Sequence, residues 1–560
     1  MLEPPQSHYR NASSKTAALK IGLLLDSVRT VPAYAARIFR DILTSNFMEI
    51  AVVVVQKDAV TTKGNRKQHF LYERYLRLDQ RMKTDNDPLV VVDCTKLLAS
   101  VEAIEIERST DQQRLPSEVL DKIRSKGLDV FIRFGFDRVP DDLFKAAQFG
   151  VWSLQHGDTE FYRGGPSHFW EIREGNPISG VVLQGTMEPG GEPLVLAKGL
   201  FATEQTISVS RNRYIPYWGS TDLFAQKLYE LHEFGWDYVV ERALPPVSYR
   251  GKRDPYASPR SGEMLAWFGP IILKKAVRYP FRKPTVQHWR IAIRRSAVPL
   301  FDAQADCSGF RWIEPPRGHA WADPFLFEHE GKYWAFFEDY SYEKKRANIA
   351  CAQVSREGEW GTPVVCLEHP DRHYSYPYIF RDGSQIFMIP ESYESNSVDL
   401  YRCKTFPNQW VREAALLEGQ FVDSTIWQHD GLWWFATTSV DPMPGANALW
   451  LYYSSSLNGD WKFHPQNPIS RDIRNNRGAG RVFRNQNRLI RPSQSGAPTY
   501  GYSLTFSEIT ELSKQHYAER PLKTVTPEQW RGIAGVHTYG CVGDLEAIDG
   551  RTPRALHELI

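Results

Sequence analysis

Cysteine is scarce and scattered: Cys94, Cys307, Cys351, Cys366, Cys403 and Cys541 are all the chain has, and no two are spaced as Cys-x-x-Cys. That argues against a zinc site or a disulfide scaffold and fits a reducing cytoplasm. An excess of one charge is missing too, with 68 Lys plus Arg against 66 Asp plus Glu, so no general attraction to nucleic acid or to anionic membranes follows. Nowhere is there the run of about 20 apolar residues that a membrane span needs, and the start has no apolar core of signal-peptide length. A soluble, cytoplasmic protein is the expectation, with residues 1–19, which are polar, left as a disordered tail. What the chain has in quantity is aromatic: 17 Trp, 26 Tyr and 29 Phe. Such a bias suits strands, and also suits sugar sites, where flat rings pack on apolar pyranose faces. At 560 residues the chain exceeds what one core supports, so two or three domains are expected.

Three segments open a first domain over residues 20–215. Lys20-Ile-Gly-Leu-Leu-Leu-Asp26-Ser27 is a short apolar run, Val31 to Leu43 has helical spacing, and Glu49-Ile-Ala-Val-Val-Val-Val55 is a second buried run. Strand, helix, strand at this spacing predicts a parallel βαβ unit, and Leu128 to Gly135 adds a strand. A helix over Pro140–Gln148 then leads to the strand Gly150-Val-Trp-Ser-Leu-Gln-His156. Ligands of open α/β sheets bind beyond the carboxyl ends of the strands, which makes Ser153 to Pro166 the natural site.

That loop runs Ser153-Leu-Gln155-His156-Gly157-Asp158-Thr-Glu160-Phe-Tyr-Arg163-Gly164-Gly165-Pro166. It resembles the formyltransferase family, in which a strand delivers Asn-x-His and a loop closes on Arg-Gly; the likeness extends from Lys20-Ile-Gly to Ile178-Ser-Gly-Val-Val-Leu-Gln184. The resemblance implies a Rossmann-like α/β fold and 10-formyltetrahydrofolate as donor. Counting back from Arg163 puts Ser153 at the Asn place and Gln155 at the His place, with His156 one residue late. The family's later Asp should fall in Thr186 to Glu192, which has none. Gln is no general base, so formyl transfer would need His156 with Glu188 or Glu192. His156 and Asp158 are candidate catalytic residues, with turn stabilisation as the plainer role for both. Ser153, Gln155 and Gly164 would line the site, and Arg163 would bind an anionic group such as a sugar-nucleotide phosphate or form a surface ion pair.

Residues 216–286 read as a connector. Leu223, Phe224, Leu228 and Leu231 have helical spacing, and Leu244 to Ser261 is rich in Pro, Arg and Ser. Glu263 to Lys283 is basic and amphipathic, which suits packing between domains more than a membrane surface, since Pro270 and Pro280 should interrupt any long helix. Gln287 to Arg294 then enters a last domain over residues 287–560.

Internal repetition dominates that domain. Asp323-Pro-Phe-Leu-Phe through Glu338 aligns without gaps to Tyr376-Pro-Tyr-Ile-Phe through Glu391, and again to Asp423-Ser-Thr-Ile-Trp through Thr438. Weaker copies start at Gly480 and around His537. Four strands per unit, recurring roughly every 50 residues, predict a five-bladed β-propeller. The start of each repeat points to the axis, so Asp323, Asp423 and Glu391 are candidate catalytic carboxyls, with Trp321, Tyr376 and His537 as substrate-binding candidates; turn caps and links between blades are the structural alternatives.

Trp321-Ala322-Asp323-Pro324 resembles the first-blade Ala-Asp-Pro of furanosidase-type glycoside hydrolases. The repeats, Arg491-Pro-Ser-Gln494 and His537-Thr-Tyr539 resemble more closely the N-terminal domain of plant glucosamine inositolphosphorylceramide transferases. Hydrolysis needs one protonated and one ionised carboxyl, and blade two has Tyr376 where a hydrolase favours a carboxylate. The sequence leaves three readings open: formyl or acyl transfer to an amino sugar with glycan binding by the propeller, a propeller glycosidase, and a non-catalytic glycan-binding protein. The partner in each is a glycan or sugar nucleotide, and no metal is inferred.

Overall fold

The computed structural model describes residues 9, 11–12, 16–57, 69–82, 86–107, 114–136, 138–278, 285–440, 443, 445 and 447–559. Most of the tail expected over residues 1–19 lies outside that set, as do Pro280, Arg282 and Lys283. Tyr9 is described and is buried, its ring 5.5 Å from that of Tyr229. The chain divides into two compact units, Met1–Val277 and Arg278–Ile560.

The first unit is built on a seven-stranded sheet of β1 (Leu19–Leu25), β2 (Met48–Lys57), β3 (Ala103–Glu107), β4 (Val130–Phe134), β5 (Val151–Gln155), β6 (Ile178–Thr186) and β7 (Leu194–Ala202), ordered β3-β2-β1-β4-β5-β6-β7. The first five strands are parallel; β6 runs antiparallel to β5, and β7 antiparallel to β6. Apolar runs such as that of β1 are what a strand covered on both faces requires. The order reverses between β1 and β4, so the crevice lies at their carboxyl ends. Helix α1 (Ala33–Thr44) starts there, but its first N–H groups donate to the carbonyls of Val90 and Pro88, so the chain itself occupies the end that would otherwise receive an anion.

The stretch read as a connector folds within this first unit. Helix α2 (Leu223–Glu241), kinked at Gly235, buries Leu223, Phe224, Leu228 and Leu231. Helix α3 (Ser261–Arg278) passes through Pro270 instead of breaking there. Pro270 and Ala266, whose carbonyl loses its bond, both lie on the exposed face, where water can replace it, while Met264 and Trp267 are buried on the other.

The second unit is five four-stranded blades. The inner strands are His319–His329, Ser375–Asp382, Phe421–His429, the interrupted pair Arg477–Gly478 and Phe483–Asn485, and Tyr539–Val542. The fifth blade takes strands from both ends of the unit: Thr285–Arg295 pairs with Leu545–Ala555 along its whole length, which closes the ring and leaves only the short outer edges of the blades. Inside this closure Arg294 donates to Glu546 at 2.8 Å, both side chains being buried, and Glu546 also accepts from the Leu300 N–H at 2.6 Å. Removing one partner of such a pair strands a buried charge. Glu546→Ala should therefore lower the propeller's stability to urea by about 3–5 kcal/mol, followed by tryptophan fluorescence, whereas Glu359→Ala, which breaks only the exposed pair with Arg311, should leave it unmoved.

Candidate functional site

In the first three blades the inner strand carries the same irregularity. Pairing with the next strand jumps between Ala322 and Phe325, between Ser375 and Tyr378, and between Val422 and Thr425. The residue at each jump is left-handed: Asp323 at φ 53°, Tyr376 at 45° and Asp423 at 52°. None is glycine, so each bulge carries about 1–3 kcal/mol of strain that its surroundings must offset. The bulge turns the backbone N–H off the ladder and toward the axis, where a carboxylate meets it. Asp323 N–H donates to Asp549 at 2.9 Å, Tyr376 N–H to Asp323 at 3.1 Å, and Asp423 N–H to Glu391 at 3.0 Å.

These bonds link blade five to one, one to two, and two to three. Asp423 also holds Arg477 of blade four at 2.5 Å, and the Tyr539 N–H of blade five donates to Ala479 of blade four at 2.8 Å. Asp323 is buried, and both its oxygens are engaged, Oδ2 by Tyr376 and Oδ1 by Thr538 Oγ1 at 2.7 Å. Asp423, also buried, receives Arg477 and, at 3.4 Å, Gln494, both on its Oδ2. The predicted catalytic pair of aspartates is thus turned into the ring between blades. Tyr376 is buried as well, its hydroxyl accepting from the Gly480 N–H at 2.8 Å.

Glu391 stands apart. It is half-buried and, of the axial carboxyls, gives one oxygen to the Asp423 N–H. Burial, and then the Asp423 charge, push it up to about 8 against the pull of Arg477, so at neutral pH it carries a proton. Burial also pushes Asp323 up to about 7, opposed by His537. His537 would be pushed down by burial, but Asp549 at 2.6 Å, and Asp323, hold it up at about 9. Asp323, His537 and Asp549 bring ligand atoms within 4.8 Å of one another, so a cation could replace the His537 proton there.

Above this floor lies an aromatic wall that the sequence reading did not single out. Trp289 stacks on His537 with ring centres 4.0 Å apart, Tyr500 meets His537 edge-on at 5.5 Å, and Arg477 lies 5.0 Å over Tyr500. Tyr500 is 46% exposed, which leaves its ring available to a ligand. Trp321, predicted for that role, is buried against Phe337 and Trp360 and donates its indole N–H to Asp339 at 3.0 Å. Only Trp289 of these had a visible signal, its place in the strand that opens the propeller. Arg477, Tyr500 and Asp549 lie outside the gapless repeats.

The first unit's candidates are placed less openly. Ser153 and Gln155 sit on β5, opposite Gln184 and Val182 of β6. His156 follows them, half-buried, with the Tyr217 ring flat against it at 3.6 Å and its two ring nitrogens buried and unpartnered among the described residues. Burial, then His168 and Arg213, hold it far below the usual imidazole range, so it is neutral. Asp158 pairs with Lys198 at 2.7 Å and caps the Glu160 N–H at 3.1 Å. Arg163 donates from Nε to the Thr159 carbonyl and from Nη2 to the Val247 carbonyl, which ties part of its guanidinium to the chain. Gly164, at φ 81°, has no room for a side chain: a Cβ would meet Tyr256 at 2.1 Å. Glu188 and Glu192 cannot assist His156, because register puts Thr186 beside Val151, at the opposite end of β5, roughly 15 Å away along the strand.

Residues 279–537 match the family described as Glucosamine inositolphosphorylceramide transferase 1, N-terminal. A protein of that name from Oryza sativa subsp. japonica is 34% identical over 216 residues, 38% of this chain and 29% of that protein. Its namesake from Arabidopsis thaliana is 34% identical over 228 residues, 40% of this chain and 30% of that one. The chain thus spans about three tenths of these relatives' length. The resemblance carried by the repeats and by Arg491-Pro-Ser-Gln494 is met by this match; within that motif Arg491 holds Glu519 at 2.6 Å and Gln494 reaches Asp423. Among solved structures, phosphoribosylglycinamide formyltransferase from Bacillus halodurans aligns at 14% identity and a TM-score of 0.27, covering 39% of this chain and 97% of that one. Cellvibrio cellulosa alpha-L-arabinanase complexed with arabinohexaose aligns at 11% identity and 0.28, covering 36% and 77%. The mixed α/β sheet and the five blades described above define the fold in their own right.

The axial cluster makes the propeller's stability depend on pH with one sign. Asp323, Glu391 and His537 all hold protons more tightly folded than unfolded, at about 7, 8 and 9, against about 4, 4 and 6.5 in an open chain. The folded state therefore binds more protons, and stability falls as pH rises from about 4 to about 9. Urea midpoints should drop across that range, and Glu391→Gln should flatten the slope; midpoints that rise with pH would contradict the assignment.

Proposed function

We propose that the protein acts in glycoconjugate biosynthesis and that its propeller engages the saccharide at the axial mouth formed by Trp289, Tyr500, Arg477 and Glu391. One observation carries the reading: a half-buried carboxyl, which burial pushes toward its protonated form, lies in the same mouth as an exposed aromatic ring and a guanidinium. A protonated carboxyl both donates and accepts, as a sugar hydroxyl requires, while the rings cover the apolar face of the sugar. Two relatives named as glucosamine inositolphosphorylceramide transferases support a role in sugar transfer to a lipid-linked acceptor. The family's description confines the match to the N-terminal part, which favours recognition of donor or acceptor by the propeller over transfer within it.

Hydrolysis is the weaker reading. It needs an ionised carboxylate free to activate water or attack the sugar, facing the acid. Glu391 would serve as the acid, but Asp323 and Asp423 are buried, protein donors occupy both oxygens of Asp323, and Arg477 and Gln494 hold Oδ2 of Asp423.

Formyl transfer finds equally little support. The donor implied by the resemblance, 10-formyltetrahydrofolate, does not fit the residues present: the Tyr217 ring covers His156 at 3.6 Å, Gln155 holds the catalytic imidazole's place, and the nearest glutamates lie at the wrong end of β5. The first unit enters the proposal as a scaffold. A cytoplasmic site of action belongs to the same proposal and is supported by six free thiols.

Trp289→Ala should weaken binding of glucosamine or myo-inositol by about three- to tenfold without loss of fold, as read by ligand-observed NMR and circular dichroism. Titration with a folate donor should show no saturable binding. Undiminished sugar binding in Trp289→Ala would remove the axial mouth from consideration.

A further inference from the structure

Cations around the axial mouth come with carboxylate partners. Arg477 has Asp423 at 2.5 Å, His537 has Asp549 at 2.6 Å, His373 has Glu338 at 3.2 Å and His319 has Asp339 at 2.8 Å. Arg551 differs. It is 7% exposed and donates to Thr499 Oγ1 and, at 3.2 Å, to the Ala534 carbonyl. No carboxylate among the described residues lies within ion-pair distance of it, and its Nε is buried without an acceptor. An arginine does not shed its proton. The fold therefore keeps a buried positive charge uncompensated, which is costly unless an anion arrives.

Its position says where that anion would be. Asp549 and Arg551 lie two residues apart on the strand Leu545–Ala555 and so share a face. Asp549 reaches the axis through His537, and Arg551 stands one step beyond it, opposite Trp289 in register. Gly535 passes so close that a Cβ there would come within 2.5 Å of the Arg551 Nε. Gly501, next to Tyr500, is as tight, a Cβ meeting Trp289 at 2.9 Å and His537 at 3.0 Å. The guanidinium, the Trp289 ring and Tyr500 thus share one corner of the mouth. Thr499 adds a hydroxyl there that accepts from Arg551 and keeps its own proton to donate. Donors on several sides suit the several oxygens of a phosphate better than the two of a carboxylate.

We propose that Arg551 is the anion-binding residue of the axial site, and that the saccharide received there carries a phosphate ester. This rests on the mouth being a saccharide site. A soluble sugar phosphate and a lipid-linked phosphodiester offer the same chemistry to Arg551.

Ligand-observed NMR titrations with myo-inositol, myo-inositol 1-phosphate and glucuronate test it on the full chain. Wild type should bind the phosphate ester about tenfold more tightly than inositol. Arg551→Gln should bring the ester down to the level of inositol, and Arg551→Lys, which keeps the charge, should retain most of the difference. Cosedimentation with phosphatidylcholine vesicles, with and without phosphatidylinositol, separates the sources: selective pelleting with phosphatidylinositol identifies the lipid-linked one, and binding of the free ester alone the soluble one.

Equal affinity for inositol and its phosphate, a preference that survives Arg551→Gln, or a gain with glucuronate and not with phosphate would each overturn the proposal. Should Arg551→Gln fail to fold, inorganic phosphate decides, since it must displace the ester from wild type and not inositol. Failure of every probe to bind would instead remove the axial saccharide site itself.

Discussion

Three backbone N–H groups, turned out of their strands by left-handed bulges at Asp323, Tyr376 and Asp423, set the centre of the propeller. Each needs an acceptor, because an orphaned buried N–H costs about 1–3 kcal/mol on top of the strain of the bulge. Asp549, Asp323 and Glu391 supply those acceptors from the neighbouring strand or blade. The axial carboxyls are therefore engaged by the backbone itself. They link successive blades, and the cations Arg477 and His537 follow to balance them. Acidic residues gathered on a propeller axis are thus not in themselves a sign of glycoside chemistry.

That constraint sorts the axial residues by freedom. Asp323 and Asp423 are buried, the first with both oxygens occupied and the second held at Oδ2 by Arg477 and Gln494, whereas Glu391 is the predicted carboxyl that is only half-buried. The wall above is made by Trp289 and Tyr500, from blade five and from the loop before the third strand of blade four, and not by the tryptophan nearest to Asp323 in sequence. In the first unit the opposite has happened. The loop expected to hold a ligand is covered by Tyr217 at His156 and tied to the chain through two N–H groups of Arg163.

The repeats made the propeller legible, because alternation and turn chemistry recur at each copy of the Asp323 segment and the gapless alignment coincides with the observed register: Glu338 lies opposite Ala322, and Glu391 opposite Ser375. The βαβ start was legible for a similar reason, since buried parallel strands must be continuous apolar runs. The helix expected over Pro140–Gln148 shrank to Asp141–Phe144 because Ala147 is drawn into a bridge with Leu128, a long-range contact without local signature. The candidate site was only half visible. A carboxylate that accepts a backbone N–H and one that faces a ligand look alike in sequence, and the difference between Asp323 and Glu391 is decided by bulge geometry. Arg477, Tyr500 and Arg551 come from segments where the repeat is broken, so periodicity could not align them.

The account's central claim is that a saccharide is held by the propeller axis and not by the crevice of the α/β unit. Diffraction from crystals grown with glucosamine tests this most directly. The account predicts a sugar ring lying against Trp289 and Tyr500 with a hydroxyl bonded to Glu391 and Tyr217 still seated on His156. A sugar bound beside His156 with Tyr217 displaced, and none at the axis, would contradict it.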